Sequence, residues 1–299
     1  MSKILLTGAS GFLGKHIYNY LYHKKFEIIT IGRSSLNDIV CDLSFEVPFL
    51  KTNSLTLVIH AAGKAHSVPK TEQEKKHFFA VNVQGTENLL NELENTGKPK
   101  QFVFISSVSV YGQEEGNIIN ENHPLNAKDS YGLSKIEAET LVADWCKRNS
   151  VICTILRLPL LVGEIPPGNL GAMIKAIEKG YYFNIGGGKA KKSMVLAADV
   201  AAFITKVSNI GGIYNLTDGY HPSFYELSSS IANRLHKKIP FNLPLSVAKV
   251  FGRFGDLLGS KAPINSLKLK KITTDLTFDD TKARQIAGWN PQRVLSYFE

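Results

Sequence analysis

The chain is short of cysteine, of long apolar runs and of metal-binding patterns, and each shortage removes a class of function. Three cysteines, Cys41, Cys146 and Cys153, share no CxxC spacing and cannot build a disulfide framework, which suits a reducing compartment. The opening MSKILLTG has one lysine and only a short apolar run, too short for a signal peptide or a membrane span. The protein is therefore read as cytoplasmic, with no membrane partner. The eight histidines show no ligand spacing with Cys, Asp or Glu, so no metal is expected. No stretch combines a dense basic run with interleaved aromatics, so no nucleic acid is expected either. There is no internal repeat and no low-complexity tract, and the composition excludes collagen-like and disordered classes.

What is present is a chain of 299 residues, 43% of them hydrophobic, able to bury a large core in one large domain or two moderate ones. The formal charge of +9 calls for an anionic partner or for a merely solvated basic surface. The densest basic clusters, GKAKKS (188–193) and SLKLKKI (266–272), both lie in the C-terminal half.

Strand and helix patterns alternate through the first half. Apolar or β-branched runs at 3–7, 27–32, 55–63, 101–107 and 151–159 read as strands, and helical spacing fills 11–25, 72–96 and 131–149. This alternation predicts an α/β, Rossmann-like doubly wound parallel sheet with helices on both faces. Past Pro159 the pattern loosens into short helices near 169–179, 223–236 and 281–287, and GIYNLTD (212–218) offers a strand that can return to the sheet. The expected division is a dinucleotide-binding domain of residues 1–163 plus about 195–218. A smaller, mostly helical C-terminal substrate domain takes about 164–194 and 219–299. The stretch 245–258 is amphipathic, and the expectation is that it packs against that second domain rather than touching a membrane.

Glycine weakens strands and helices by roughly 0.5–1 kcal/mol per site, yet TGASGFLG (7–14) places Gly8, Gly11 and Gly14 where the first strand hands over to the first helix. There a pyrophosphate can sit on bare amides at a helix N-terminus. Tight helix-to-strand packing accounts for Gly14 and leaves Gly8 and Gly11 to the dinucleotide; Phe12 and Leu13 go with them. Ligands of such sheets lie beyond the carboxyl ends of the strands. At the end of the second strand Gly32, Arg33 and Ser34 replace the carboxylate that would hold an adenosine ribose, so Arg33 and Ser34 point to the 2′-phosphate of NADP. The alternative is NAD, with Asp38 or Asp42 serving the ribose from a loop.

In YGLSK (131–135), Tyr131 and Lys135 are four apart on one face of a helix. A lysine cation at about 4 Å would favour the phenolate by roughly 4 kcal/mol at an effective dielectric of 20, enough to bring proton transfer into range at neutral pH. Ser107, closing the strand QFVFISS, can bond the same reacting oxygen. His60 closes an apolar strand and reads as a buried, hydrogen-bonded histidine rather than a base, and Asp199 reads as the N-cap of a helix.

Together these motifs resemble the extended short-chain dehydrogenase/reductase family of nucleotide-sugar epimerases, dehydratases and reductases. The resemblance runs over nearly the whole chain, through TGASGFLG, CDL (41–43), VIHAAG (58–63), NVQGT (82–86), SSVSVYG, YGLSK, PPGNL (166–170), VLAADVA (195–201) and DDTKARQIAGWNP (279–291). It implies Ser107, Tyr131 and Lys135 as the catalytic group, with Lys135 also on the nicotinamide ribose. It further implies Asp42 and Leu43 beside the adenine, Ala61, Ala62 and Gly63 along the pyrophosphate and ribose, Asn82 ordering the site and Pro159 at the cofactor. His66, Ser109, Asn169, Lys192 and Lys270 would meet a nucleotide-diphosphate sugar, and helices 72–96 and 131–149 would form a homodimer. Dehydratases of the family place Asp-Glu directly after the catalytic serine or threonine, whereas this chain has Val108 and Ser109, which disfavours dehydration. Arg33 and KKSMVLAADV (191–200) lean toward NADPH-dependent reduction of a 4-keto sugar nucleotide. Redox-neutral 4-epimerisation, and a regulator that binds NADP(H) without turnover, stay open.

Overall fold

A computed structural model describes residues 3–52, 54–65, 69–258 and 265–299. Strand β1 (Lys3–Thr7) leads through helix α1 (Phe12–His23) to β2 (Glu27–Gly32) and a short β3 (Ile39–Val40). β4 (Leu57–His60) is followed by α2 (Glu72–Phe79), a π-helical turn (Ala80–Gln84) and α3 (Gly85–Thr96). Then come β5 (Gln101–Ser107), β6 (Gly116–Ile119), α4 (Ser130–Arg148) and β7 (Ile152–Leu158). The chain continues through β8 (Leu160–Val162), α5 (Gly168–Glu178), β9 (Asn184–Ile185), β10 (Met194–Leu196), α6 (Ala197–Val207) and β11 (Gly212–Asn215). It ends with α7 (Phe224–Arg234), β12 (Asn242–Leu243), α8 (Leu245–Leu258), α9 (Ser266–Thr273), β13 (Leu276–Phe278) and α10 (Thr281–Ala287).

Seven strands form one all-parallel sheet in the order β11-β7-β5-β4-β1-β2-β3. Its central strands are apolar on both faces, as helices on both sides require. In β1, Ile4 and Leu6 enter a core with Leu13 and Ile17 of α1 and Val200 of α6, while Leu5 points to the opposite core with Leu89 of α3 and Val142 of α4. β1 pairs with β2 on one side and with β4 on the other, so the order in which strands are added reverses between β1 and β4 and a crevice opens at their carboxyl ends. A third core of Leu170, Met173 and Ile177 of α5 with Leu227 and Ile231 of α7 lies apart from the sheet. β8 pairs with β10 beside it, and β11 returns to the edge of the main sheet.

Three local expectations are corrected. The predicted single helix over 72–96 is interrupted by the π turn, which puts one extra residue where Asn82 leaves the helix axis. Asp199 is not an N-cap: Leu196 holds that position, and the Asp199 carboxylate one turn in accepts from the Gln292 amide at 2.8 Å, tying the C-terminal tail to α6. In α8 the residues turned to the protein are Ala248 and Gly252, whereas Phe251 and Phe254 are 57% and 65% exposed. This inward side faces α9, with Gly252 alongside Leu269. The basic run 266–272, without a helical reading in sequence, is α9 itself.

Candidate active site

The turn after β1 is built around backbone contact. Gly8 has φ +72°, and a Cβ there would stand 2.6 Å from the Ala62 amide nitrogen and 2.7 Å from the Ala61 carbonyl carbon. Gly8 therefore has a packing role as well, which sequence alone did not assign: it lets β1 and β4 close the crevice between them. A Cβ on Gly14 would overlap the Gly8 carbonyl oxygen, so α1 can start only this close to the turn if that residue is glycine. The Gly11 amide donates to the same carbonyl at 2.9 Å. Gly11 is the N-cap of α1, with no capping side chain and no acid in the first turn. The first-turn amides and the positive end of the helix dipole are thus left for an anion. Phe12 opens this helix with its ring edge-on to His16, and Leu13 is buried in the core.

At the carboxyl end of β2, the Arg33 side chain is 74% exposed, with its nearest carboxylate, Asp42, at 4.0 Å. Ser34 accepts from the Leu36 amide at 3.3 Å. Asp38, one of the two carboxylates considered for a ribose, is turned back onto β2, where it accepts from both the amide and the hydroxyl of Thr30 at 2.8 Å. Asp42 is engaged by Ser44, whose hydroxyl donates at 2.6 Å. Leu43 is buried and its carbonyl accepts from Asn88 at 2.8 Å.

Between β4 and the π turn runs a chain of hydrogen bonds whose directions can be assigned. The Thr86 hydroxyl spends its one proton on the Asn82 carbonyl (2.7 Å), so it accepts from His60 Nε2 (3.0 Å). His60 Nδ1 is then the acceptor for the Thr7 hydroxyl (2.7 Å), which itself accepts from the Ala62 amide (3.1 Å). Burial, helped by the charge of Lys135, pushes the His60 pKa down to about 3, so the ring is neutral and acts as a strut, as its place in an apolar strand suggested. The Asn82 amide accepts from Lys64 N (2.7 Å) and donates to Ser134 Oγ (2.9 Å), and Ser134 donates to the Tyr131 carbonyl (2.8 Å). A Cβ on Gly63 would stand 3.1 Å from Asn82 Oδ1 and 3.8 Å from Lys135 Nζ. The strand end 61–63, Asn82 and the YGLSK helix therefore converge on one place.

Asp129 caps α4, accepting from the Tyr131 and Gly132 amides, and Gly132 lets the helix start against Ala127 and the Ser109 carbonyl. This seats Tyr131 beside Ser107, whose hydroxyl also bonds the Ser109 hydroxyl at 3.1 Å. Pro159 follows Leu158, the β7 neighbour of Ser107. The expected electrostatics are corrected here. Burial raises the pKa of Tyr131; hydrogen bonding with Ser107 pulls it down less strongly, and the charge of Asp129 adds to the rise. Lys135 does not offset this, because its ammonium donates to the Ile105 carbonyl at 2.6 Å and lies 4.2 Å over the Phe104 ring. Burial lowers the pKa of Lys135 to about 8, with the charge of Glu139 opposing the fall.

Glu139 belongs to a buried cluster missed in the sequence, although its place one turn after Lys135 on the same helix face was legible. It receives Arg157 Nε and Nη2 at 3.1 and 2.7 Å and the Ser106 hydroxyl at 2.5 Å. Arg157 also donates to the Tyr111 hydroxyl (3.1 Å), which donates to Asn215 Oδ1 on β11 (2.8 Å). The cluster clamps α4, β5, β7 and β11 together directly beneath Ser107 and Lys135.

The outer residues are less tightly drawn in. Asn169 is exposed in the first turn of α5, and Lys192 is half-buried with its pKa lowered by burial. Lys270 of α9 forms an exposed ion pair at 3.2 Å with Glu115, just before β6, a partner the sequence reading did not include. His66 lies outside the described residues. Among the described residues no group of His, Cys, Asp or Glu could hold a metal ion, and no helix is long and apolar enough to cross a membrane.

The chain matches the model of the NAD dependent epimerase/dehydratase family over residues 4–216. It is 30% identical to the N-acetyl-alpha-D-glucosaminyl-diphospho-ditrans,octacis-undecaprenol 4-epimerase of Escherichia coli O157:H7, over 94% of this chain and 88% of that one. It is 28% identical to the UDP-glucose 4-epimerase of Vibrio cholerae, over 98% and 92%. Its fold is similar to that of RMD from Pseudomonas aeruginosa complexed with NADPH, with TM-score 0.73, 21% identity and coverage of 100% and 99%. With a glycine turn that a Cβ would block, an uncapped α1 and a crevice at the sheet's reversal, the chain belongs to the NAD dependent epimerase/dehydratase family and is an enzyme working with a nicotinamide dinucleotide.

Proposed function

We propose that the protein reduces a 4-keto nucleotide-diphosphate sugar at C4 with NADPH. The observation that carries this reading is the placement of Tyr131: half-buried in the first turn of α4, it stands beside Ser107 at the carboxyl end of β5, where burial raises its pKa and favours the neutral phenol. A neutral phenol is a proton donor, which is what a carbonyl oxygen needs as the carbon beneath it is reduced. Ser107 holds that oxygen by a second hydrogen bond, and Tyr131 delivers its proton to it.

The dinucleotide would lie with its pyrophosphate on the amides after Gly11 and its path lined by Ala61, Ala62 and Gly63, supported from behind by Asn82. When bound, its nicotinamide supplies the hydride. Lys135, whose ammonium is within reach of Gly63, is assigned to the nicotinamide ribose. Arg33 is assigned to the 2′-phosphate because its side chain is exposed and Asp38, the carboxylate that might have taken a ribose instead, is occupied by Thr30. Val108 and Ser109 stand where a dehydratase of this family would carry its extra acid and base, so no elimination is assigned. Asn169 and Lys192 are assigned to the sugar diphosphate.

A second reading, redox-neutral 4-epimerisation, is favoured by the two relatives that are 4-epimerases. Substrate challenge separates the two. A reductase consumes NADPH in proportion to product, whereas interconversion of C4 epimers without net NADPH loss would overturn the reductase reading. In either reaction Tyr131→Phe lowers turnover at least about a hundredfold while NADPH binding persists, and unchanged turnover would refute the role of Tyr131.

A further inference from the structure

We propose that the outward face of α8 docks the protein on an anionic phospholipid bilayer. An ordinary surface helix turns its large apolar side chains to the core and its polar ones to water. Helix α8 does the reverse. Its inward positions are Ala248, fully buried, and the buried Gly252 and Gly255. Val247, Val250, Phe251 and Phe254, spaced i, i+3, i+4 and i+7, form one stripe on the other side and are 40%, 53%, 57% and 65% exposed. Nothing among the described residues covers this stripe, and a contiguous apolar surface of this kind marks an interaction face.

Charge selects the occupant. Arg253 flanks the Val250 edge of the stripe and Lys249 lies one turn before it on the helix's polar side, both exposed, and exposed Lys237 and Lys238 lie in the connector from α7 to β12. None of these four cations is in an ion pair among the described residues. The acid of α8, Asp256, is turned to Ser266, which donates to it at 2.6 Å. Two more exposed aromatics precede the helix: the pairing of β9 with β12 sets Phe183 beside Phe241, 50% and 74% exposed. An apolar stripe edged by lysine and arginine is the pattern of a helix lying in the interface plane of a membrane with anionic headgroups. A second copy of the chain packed through this face would bring the Lys249 and Arg253 cations of both copies together, with Asp256 the single acid of α8 to answer them. The face is remote in kind from the catalytic groups, and the proposal does not depend on whether the enzyme reduces or epimerises.

The test is flotation of the full chain with vesicles of phosphatidylcholine alone or with phosphatidylglycerol added, alongside analytical ultracentrifugation without lipid. The wild-type protein floats with the anionic vesicles, and the bound fraction falls as salt is raised. Phe251→Ser combined with Phe254→Ser weakens binding at least about tenfold, and so does Lys249→Glu combined with Arg253→Glu. Both variants keep the wild-type melting temperature and NADPH affinity, since the altered side chains stand outside the core. Failure of the wild-type protein to float, or equal binding to neutral vesicles by the charge variant, would overturn the proposal. So would self-association of the wild-type chain that the phenylalanine variant abolishes while vesicle binding is absent in both.

Discussion

His60 makes stability depend on acid in a way that can be worked out beforehand. Its imidazole is 1% exposed, with both nitrogens engaged by Thr7 and Thr86. In the unfolded chain it titrates near 6.5, whereas in the fold burial holds it down to about 3. Between these two values the unfolded state binds one proton more than the native state. Stability is therefore fully present above pH 6.5 and falls as pH is lowered, by about 1.4 kcal/mol per pH unit, until the folded-state value is reached. At about pH 5 the loss is near 2 kcal/mol, and the whole gap is worth roughly 5 kcal/mol. Replacing the ring with an uncharged amide, His60→Gln, removes this dependence. Urea unfolding of both proteins at about pH 7.5, 6 and 5 measures it. The variant starts less stable, by about 1–3 kcal/mol for disturbed buried hydrogen bonds, and the gap between the proteins narrows by about 2 kcal/mol on acidification. Parallel pH profiles would mean that His60 takes up its proton in the fold, and the assigned direction of the chain from Ala62 to Asn82 would then be wrong. The chain reaches the crevice, because a proton on Nδ1 would turn the Thr7 hydroxyl from donor to acceptor at the ring and reorient the group that holds the Ala62 amide.

Two further changes probe the scaffold beneath the site. Glu139→Gln leaves the guanidinium of Arg157 buried without its counter-charge, and thermal or urea unfolding should register a loss of about 3–5 kcal/mol. The same change removes the negative charge that holds the Lys135 pKa up, so this lysine titrates below about 8, a shift readable by NMR of the labelled ammonium; an unmoved titration would sever the link between the two residues. Gly14→Ala forces a methyl group into the Gly8 carbonyl, a backbone atom with little freedom to move. It should cost about 1–3 kcal/mol in a melting experiment and weaken NADPH binding by displacing α1 from the turn; wild-type affinity would show that the turn tolerates more separation than its packing suggests.

Most of the sheet was legible because a strand buried on both faces cannot be anything but continuously apolar. Residues 3–7, 27–32 and 101–107 are strands with those bounds, and the alternation with helices carried the parallel order with it. The short strands β6, β9, β12 and β13 left no readable pattern, since two to four residues are too few to show a period and their pairing joins segments far apart in the chain.

The identities at the site were a property of the sequence itself: a glycine turn, a serine at a strand end, and a tyrosine and lysine one helical turn apart. Their electrostatic relation was not, because it depends on where each polar group finds its partner after packing. The Lys135 ammonium bonds the Ile105 carbonyl and leaves the phenol to burial, and nothing local to YGLSK encodes the carbonyl of a strand thirty residues earlier. The same holds for Glu139 and Arg157, which become one buried pair only when α4 lies on β7. Helix α8 shows the rule in reverse. Its amphipathic period is written in sequence, but which face meets the protein was decided by the packing of Ala248 and Gly252 toward α9, and so by tertiary contact alone.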